Sequence, residues 1–291
     1  YTPEDILKAM TKAGLNYIEW GGDVHAPAGD MEKVGQLPAL QKEYGVACSS
    51  YGSYFRIGVS AFDELPYVVE AAKKLGTNII RLWAGNEGSA AYTGQKKEDF
   101  FSECRKIAQF GAQNDVIFCL ECHNWTYTDT KETALELMKA VDSPNFRMYW
   151  QPNQFKSVEE NIAYAKLLSP YTEHIHVFNW KGEQKMPLCE AVDVWKRYLS
   201  AFDTDKTLLL EFMPDGNIQS LEKEAAALRQ PILVVSYRCL CACTVCAVPY
   251  TYDQHTNQNH SDRHWIKAVK GFHPAVYQAL LHETGHFPYI Q

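Results

Sequence analysis

The sequence contains no apolar run that approaches the roughly 18 residues of a membrane-spanning helix. It also has no cluster of basic residues, and its 35 acidic side chains outnumber the 28 basic ones for a net charge of -7. Because proteins that bind nucleic acid usually show a basic stripe, we expect neither a nucleic acid nor a membrane as the partner. No charged, apolar and small-residue leader opens the chain, and the nine cysteines form no regular framework. These absences predict a cytoplasmic protein with reduced thiols.

The sequence also lacks the glycine fingerprints of nucleotide-binding sheets. No G-x-G-x-x-G follows an apolar run, which argues against an open, doubly wound sheet, the alternative α/β architecture. No phosphate-binding glycine loop is evident either, so nothing indicates a phosphorylated substrate. With 46% hydrophobic and 22% charged residues, the composition is that of a globular protein and excludes a disordered, collagenous or coiled-coil chain.

A strand-like apolar run recurs seven times between Leu15 and Phe212. The runs are 15–20, 46–51, 78–83, 116–121, 146–151, 174–180 and 207–212. Their starts are spaced by the length of a strand, a crossover helix and two loops, and each run is followed by loop residues and by a segment of helical periodicity. Buried strands that alternate with helices form a parallel sheet.

The chain opens on the helix of an eighth unit. Thr2 is the expected N-cap, Pro3 lies in the first turn and Gly14 ends the helix. Because an eight-fold βα repeat closes into a barrel, we predict an α/β fold, a (β/α)8 TIM barrel that lacks its first strand. The strand-like stretch 231–237 is one candidate to fill the gap.

The character of the sequence changes after Arg229. Residues 230–291 hold only seven charged side chains, but six of the ten histidines and four of the nine cysteines. We predict a barrel over 1–229 and an atypical Cys/His-rich tail over 230–291, which is either a small metal-binding segment or, the favoured interpretation, sequence foreign to the fold. The H-E-x-x-H at 282–286 has too few residues after it for a protease, and the cysteines at 239–246 lack paired C-x-x-C spacing.

Four successive barrel units end in polar residues. These are Glu121, Gln151, His176 and Glu211. Side chains at the carboxyl ends of barrel strands converge on one face. Two carboxylates, an amide oxygen and an imidazole suit Mn²⁺, Mg²⁺ or Co²⁺. Taken singly, each has a structural interpretation as a helix cap or a hydrogen-bonded core residue, but four in succession predict a metal site. Such a site favours proton transfer next to a carbonyl, with Glu121 and Glu211 facing a substrate from two sides.

Several stretches resemble the sugar phosphate isomerase/epimerase family of xylose isomerase-like TIM barrels. They are IEWGGDVH at 18–25, SYGSY at 50–54, IRLWAG at 80–85, LECHN at 120–124, HVFNW at 176–180 and LEF at 210–212. The resemblance covers roughly residues 2–229. It implies a divalent metal bound by Glu121, Gln151, His176 and Glu211, with Zn²⁺ also within range, and it implies that Glu121 and Glu211 act as the acid/base pair. Members normally begin with a strand ahead of the first helix.

The chain departs from the family pattern at two positions. Many members carry Asp where this chain has Gln151, and His where it has Gln154. An amide in place of a carboxylate leaves two formal negative charges on the ligands instead of three, so we expect weaker metal binding.

Further polar and aromatic residues follow or end strands, where they are candidates for binding the hydroxyls and ring of a substrate. They are His25, Arg81, Trp83, His123, Asn153, Asn179 and Trp180. Arg81 and Trp83 alternate with apolar neighbours, so packing in the barrel wall is the alternative for at least one of them.

The sequence therefore predicts a divalent-metal-dependent sugar isomerase or epimerase that works by α-proton abstraction through an enediolate. The first alternative is a polyol or inosose dehydratase, which would use the same metal and proton abstraction and then expel a hydroxyl. The second is a catalytically silent sugar-binding barrel. An endonuclease IV-like activity is disfavoured, because the predicted barrel contains only four histidines and no basic run. The expected partner is a small sugar or polyol, and a homo-oligomer is left open.

Overall fold

The computed structural model describes residues 1–236 and 277–279. Eight parallel strands form a closed barrel: β1 (Tyr17–Gly21), β2 (Ala47–Arg56), β3 (Ile79–Trp83), β4 (Ile117–Glu121), β5 (Phe146–Trp150), β6 (Thr172–Val177), β9 (Thr207–Leu210) and β10 (Tyr277–Ala279). A separate antiparallel pair, β7 (Trp180–Lys181) and β8 (Gln184–Lys185), follows β6.

Among the described residues, eight α-helices connect the strands or flank them. They are α1 (Pro3–Lys12), α2 (Met31–Tyr44), α3 (Leu65–Leu75), α4 (Gly94–Gln113), α5 (Lys131–Val141), α6 (Val158–Leu168), α7 (Val192–Leu199) and α8 (Leu221–Ser236). Local sequence defines their ends. Thr2 and Asp5 form a capping box at the start of α1, and Gly45 ends α2 in the left-handed conformation that glycine adopts without strain. In the described part of the chain, no helix is long and apolar enough to cross a membrane.

The order of strands around the barrel is β1-β10-β9-β6-β5-β4-β3-β2. All seven predicted strands are present, and no strand precedes α1 among the described residues. The position between β1 and β9, where the expected first strand would lie, is taken by β10. The interpretation of 231–237 as the filling strand was wrong, because α8 extends to Ser236.

One apolar core lies between the sheet and the helices, and a smaller cluster of Cys119, Tyr149 and Leu209 fills part of the barrel interior. The barrel strands therefore have apolar residues on both faces, as the near-continuous runs in the sequence predict. Residues 237–276 and 280–291, with the H-E-x-x-H and the cysteine cluster, lie outside the described residues. The division at 229 stays a prediction.

Strand β2 is longer than predicted and is irregular at its end. Its register with β3 shifts between Gly52 and Arg56, where Arg56 pairs with Trp83. Within this bulge Tyr54 has a φ of 59°, a rare and strained value for an aromatic residue. The bulge carries Tyr54 and Arg56 to the carboxyl end of the barrel, beside the end of β3.

Candidate active site

Four polar side chains meet at the carboxyl ends of neighbouring strands. Glu121 is the last residue of β4, Gln151 directly follows β5, His176 lies in β6 and Glu211 directly follows β9. These strands are adjacent in the barrel, so the four predicted metal ligands are brought together. Glu121, His176 and Glu211 are buried, and Gln151 is half-buried.

Oxygen atoms of the other three residues lie close to Nδ1 of His176. This nitrogen lies 2.9 Å from Gln151 Oε1, 3.5 Å from Glu211 Oε2 and 3.7 Å from Glu121 Oε1. Candidate ligand atoms of Glu121, His176 and Glu211 all lie within 4.8 Å of one another. Glu211 Oε2 is buried and has no hydrogen-bond partner among the described residues. The constellation is therefore compact and only partly satisfied by the protein.

This arrangement fits a divalent cation. Neighbouring ligands of an octahedral ion with bonds of about 2.1 Å are about 3.0 Å apart, and the separations from His176 Nδ1 range from 2.9 to 3.7 Å. A buried carboxylate oxygen without a partner, such as Glu211 Oε2, is what a bound cation would satisfy. Oxygen ligands with one imidazole suit Mg²⁺ or Mn²⁺, and Co²⁺ and Zn²⁺ accept the same donors.

A buried ion-pair network lies against Glu121. The Arg81 guanidinium pairs with Glu121 through Nη1 and with Glu19 through Nε, the second pair at 2.9 Å. Ser50 Oγ donates to the other oxygen of Glu19 at 2.9 Å. The Arg81 and Glu19 side chains are at most 2% exposed. One buried cation thus holds a carboxylate of the candidate metal site and a second carboxylate outside it.

The environment separates the pKa values of the two site carboxylates. Burial would raise the pKa of Glu121, but the Arg81 guanidinium and His176 lower it well below its usual range. Burial raises the pKa of Glu211 to about 7, with His176 opposing this rise and Glu121 adding to it. Burial would lower the pKa of His176, but Glu211 and Glu121 raise it overall. The environment thus favours the ionised form of Glu121 and the protonated form of Glu211 more than water does.

The raised pKa of Glu211, about 7, predicts pH-dependent metal binding. A metal binds the ionised carboxylate and the neutral imidazole, so protons compete with it at low pH. We expect the Mn²⁺ dissociation constant to rise at least about tenfold for each unit of pH below about 7, more steeply where His176 is protonated as well, and to level off above about pH 8. Calorimetric titrations between pH 5.5 and 8.5 measure this slope. An affinity that stays constant over this range would contradict the assignment of Glu211 as a ligand.

Gly52 allows Arg81 and Glu19 to approach the β2 backbone. A Cβ at this position would lie 2.7 Å from Arg81 Nη2 and 2.7 Å from Glu19 Oε1. We expect Gly52→Ala to lower the free energy of unfolding by about 1–3 kcal/mol, because it displaces a buried ion pair. Urea denaturation measures the loss. Gly29→Ala is the matched control, since a Cβ there meets no atom within 4 Å. Equal stabilities of the two variants would show that the network tolerates displacement.

The predicted aromatic residues divide between two walls. On one side Trp83, at the end of β3, stacks on His123 with ring centroids 4.5 Å apart. On the other side, Trp180 packs against Phe212 with ring centroids 5.1 Å apart. Trp180 Nε1 has no hydrogen-bond partner among the described residues. Their predicted contacts with a substrate remain predictions.

The other predicted binding residues contact the protein itself. His25 Nε2 lies 3.2 Å from the Tyr1 carbonyl oxygen. Asn153 Nδ2 donates to Asn124 Oδ1 at 2.7 Å, and Asn179 Nδ2 donates to the Pro187 carbonyl at 2.8 Å. These amides fix the loops around the site. The Arg81 side chain is buried and pairs with Glu19 and Glu121, so it packs within the protein, and its predicted contact with a substrate stays a prediction.

Sequence reasoning missed several charged groups near the site. Glu19 was detectable as a lone carboxylate inside an apolar strand. Arg56 and Lys185 belong to no motif; Arg56 lies 3.8 Å from the Trp83 ring centroid, and Lys185 Nζ lies 5.1 Å from that of Phe212. They reach the site through the β2 bulge and the short β7–β8 pair, which the sequence did not predict.

Comparisons with known proteins agree with this architecture. The family model of the xylose isomerase-like TIM barrel matches residues 7–230. The 3-dehydroshikimate dehydratase of Bacillus anthracis is 30% identical over 204 residues, which are 66% of this chain and 71% of the relative.

Two solved structures share the fold. The probable 3-DHS dehydratase AsbF of Bacillus anthracis superposes with a TM-score of 0.65 at 23% identity, over 77% of this chain and 92% of that one. A xylose isomerase-like TIM barrel protein from Mycobacterium smegmatis, in complex with magnesium, superposes with a TM-score of 0.59 at 12% identity. The superposition covers 80% of this chain and 88% of that one. From the extent of the family match and the identity to the dehydratase, the chain belongs to the xylose isomerase-like TIM barrel family.

Proposed function

We propose that the protein is a divalent-metal-dependent dehydratase that removes water from a ring compound with a hydroxyl β to a carbonyl. The observation that carries this proposal is the pair of buried carboxylates Glu121 and Glu211, each within 3.7 Å of His176 Nδ1, of which the first has a lowered pKa and the second a raised pKa. Two carboxylates whose pKa values are pushed apart in this way are typical of active sites in which one stays ionised and the other transfers protons.

The relative favours one of the two reactions open to such a site. The sequence favoured isomerisation or epimerisation and kept dehydration as the alternative. Both begin by removing a proton next to a carbonyl. The 30% identical relative is a dehydratase, so the alternative is better supported.

Glu121, Gln151, His176 and Glu211 would hold the ion. The chemistry that a bound ion would supply there is stabilisation of the negative charge that develops on the carbonyl oxygen of the substrate. A carboxylate has two oxygens, so one can bind the ion while the other exchanges a proton.

In the proposed reaction, Glu211 removes the proton from the carbon next to the carbonyl, and the electron pair of that bond forms an enolate. The enolate then expels the β-hydroxyl, which takes the proton back from Glu211 and leaves as water. Arg81 keeps Glu121 charged and fixed in position throughout. The chain returns to its starting protonation state, and the product has one more double bond than the substrate.

The test is an assay of the Mn²⁺-loaded protein with 3-dehydroshikimate. Loss of water and enolisation turn this compound into 3,4-dihydroxybenzoate, whose aromatic absorbance reports the reaction. We expect metal-dependent formation of this product and no epimerisation of ketohexoses under the same conditions. Epimerised ketose with no aromatic product would favour the isomerase interpretation. No reaction with either compound by the metal-loaded protein would favour the silent binding barrel.

A further inference from the structure

Arg56 is a half-buried cation at the carboxyl end of the barrel that forms no ion pair with any described carboxylate. Within the described part of the chain, its guanidinium donates one hydrogen bond, from Nη1 to the Gly85 carbonyl oxygen at 3.3 Å. A guanidinium has five N–H donors, so most of them are left for another group. Burial lowers the pKa of Arg56, although Glu121 opposes this effect. An unpaired cation in such a position would be stabilised by an anion.

The Trp83 ring holds this guanidinium in place. The Arg56 guanidinium carbon lies 3.8 Å from the Trp83 ring centroid. A guanidinium held over an aromatic ring in this way keeps N–H donors free at its edge, and a guanidinium can bind a carboxylate through two parallel hydrogen bonds. The Trp83 ring also stacks on His123, which lies two residues after Glu121. The guanidinium is close enough to Glu121 for that carboxylate to act on its pKa.

Two buried carboxylates near the site, Glu121 and Glu19, are already engaged. Glu121 pairs with Arg81, and Glu19 pairs with Arg81 and Ser50. The backbone is also strained where it brings Arg56 to the site, because the β2 bulge that carries this residue contains Tyr54 with its positive φ. Strained backbone of this kind clusters at ligand-binding sites.

We propose that the substrate of this site carries a carboxylate, and that Arg56, stacked on Trp83, binds it. This inference rests on the proposed function, whose test compound already carries a carboxylate, and it adds the residue that binds that carboxylate. A second cation near the site, Lys185, lies on the opposite aromatic wall beside Trp180 and Phe212. Lys185 therefore serves as the contrasting position.

The experiment compares two probes that differ only in a carboxylate, catechol and 3,4-dihydroxybenzoate. Both present neighbouring hydroxyls to a metal. Calorimetry measures their dissociation constants on the Mn²⁺-loaded wild type, Arg56→Gln, Arg56→Lys and Lys185→Gln. We expect the wild type to bind 3,4-dihydroxybenzoate roughly 10- to 100-fold more tightly than catechol, since a charge-assisted hydrogen bond contributes a factor of this size.

In Arg56→Gln this preference should fall below about threefold, because the bond to a charged group is lost. Catechol and Mn²⁺ affinities should not change. Arg56→Lys should keep part of the preference, and Lys185→Gln should keep all of it. A wild type without a preference, one that binds neither probe, or a preference lost only in Lys185→Gln would overturn the proposal. If the preference depends on Arg56 but the protein has no dehydratase activity, the proposed role of Arg56 is supported and the proposed reaction is rejected.

Discussion

Glu211→Gln is expected to weaken Mn²⁺ binding roughly 100-fold or more and to reduce dehydration to the background rate. The substitution removes one of the two formal negative charges among the candidate ligands, and attraction between charges is strong at a buried site. It also removes the group that would exchange the substrate proton. Calorimetry with Mn²⁺ and the absorbance assay measure the two effects separately.

Glu183→Gln is the matched control for this prediction. Glu183 is an exposed carboxylate in the turn between β7 and β8. Its neutralisation changes the net charge by the same amount, so metal binding and turnover should stay within about twofold of the wild type, as expected for a screened surface charge. Similar losses in both variants would attribute the effect of Glu211→Gln to general electrostatics.

Arg81→Met is expected to lower the free energy of unfolding by about 3–5 kcal/mol at neutral pH, because it leaves buried charges uncompensated. Glu19 and Glu121 share Arg81 as their ion-pair partner. Urea denaturation of the metal-free protein measures the loss. In a Glu19→Gln background the same substitution should have a smaller effect, since one of the two stranded carboxylates is gone. An additive double-mutant cycle would mean that the two side chains act independently.

The loss in Arg81→Met should also depend on pH. Burial would raise the pKa of Glu19, but Arg81, His176 and Ser50 lower it overall. The pKa of Glu121 is lowered as well. Carboxylates with depressed pKa values contribute stability above their unfolded values, about 4.3, and this contribution is lost as the pH falls through the folded values. Without Arg81, burial favours the protonated forms. The difference between variant and wild type is therefore expected to be largest above about pH 6 and to shrink below about pH 4.

The sequence predicts the barrel and the four candidate ligands for a simple physical reason. In parallel strands that are buried on both faces, the residue at the carboxyl end is the first one free to be polar. Glu121, Gln151 and Glu211 each end an apolar run, and convergence at one face follows from the closure of the barrel. Predicting that these residues lie together therefore required no knowledge of individual long-range contacts.

The buried network could not be predicted in the same way. The pairing of Arg81 with Glu19 joins residues 62 positions apart and depends on which interior side chains face each other across the barrel. Alternation along β3 left Arg81 equally suited to binding a substrate or to packing in the barrel wall. The bulge in β2 brings Arg56 onto Trp83. It is a backbone irregularity that no local residue pattern predicts.

The eighth barrel position also depended on long-range structure. A gap between β1 and β9 was expected, and the nearest strand-like segment, 231–237, was the natural candidate to fill it. That segment instead continues α8, in spite of Pro231, and the strand that pairs with β1 and β9 is Tyr277–Ala279, far beyond the end of α8 in the sequence. Strand pairing at such a distance depends on the register of the barrel, which periodicity does not define.

The most direct test of the proposed metal site is an anomalous difference map, recorded at the manganese absorption edge, from crystals grown with Mn²⁺. We predict one strong peak enclosed by Glu121, Gln151, His176 and Glu211, within about 2.0–2.4 Å of a donor atom of each. Manganese bound only elsewhere, for example in the Cys/His-rich tail, with no peak at the strand ends, would contradict the proposed metal site and the mechanism that depends on it.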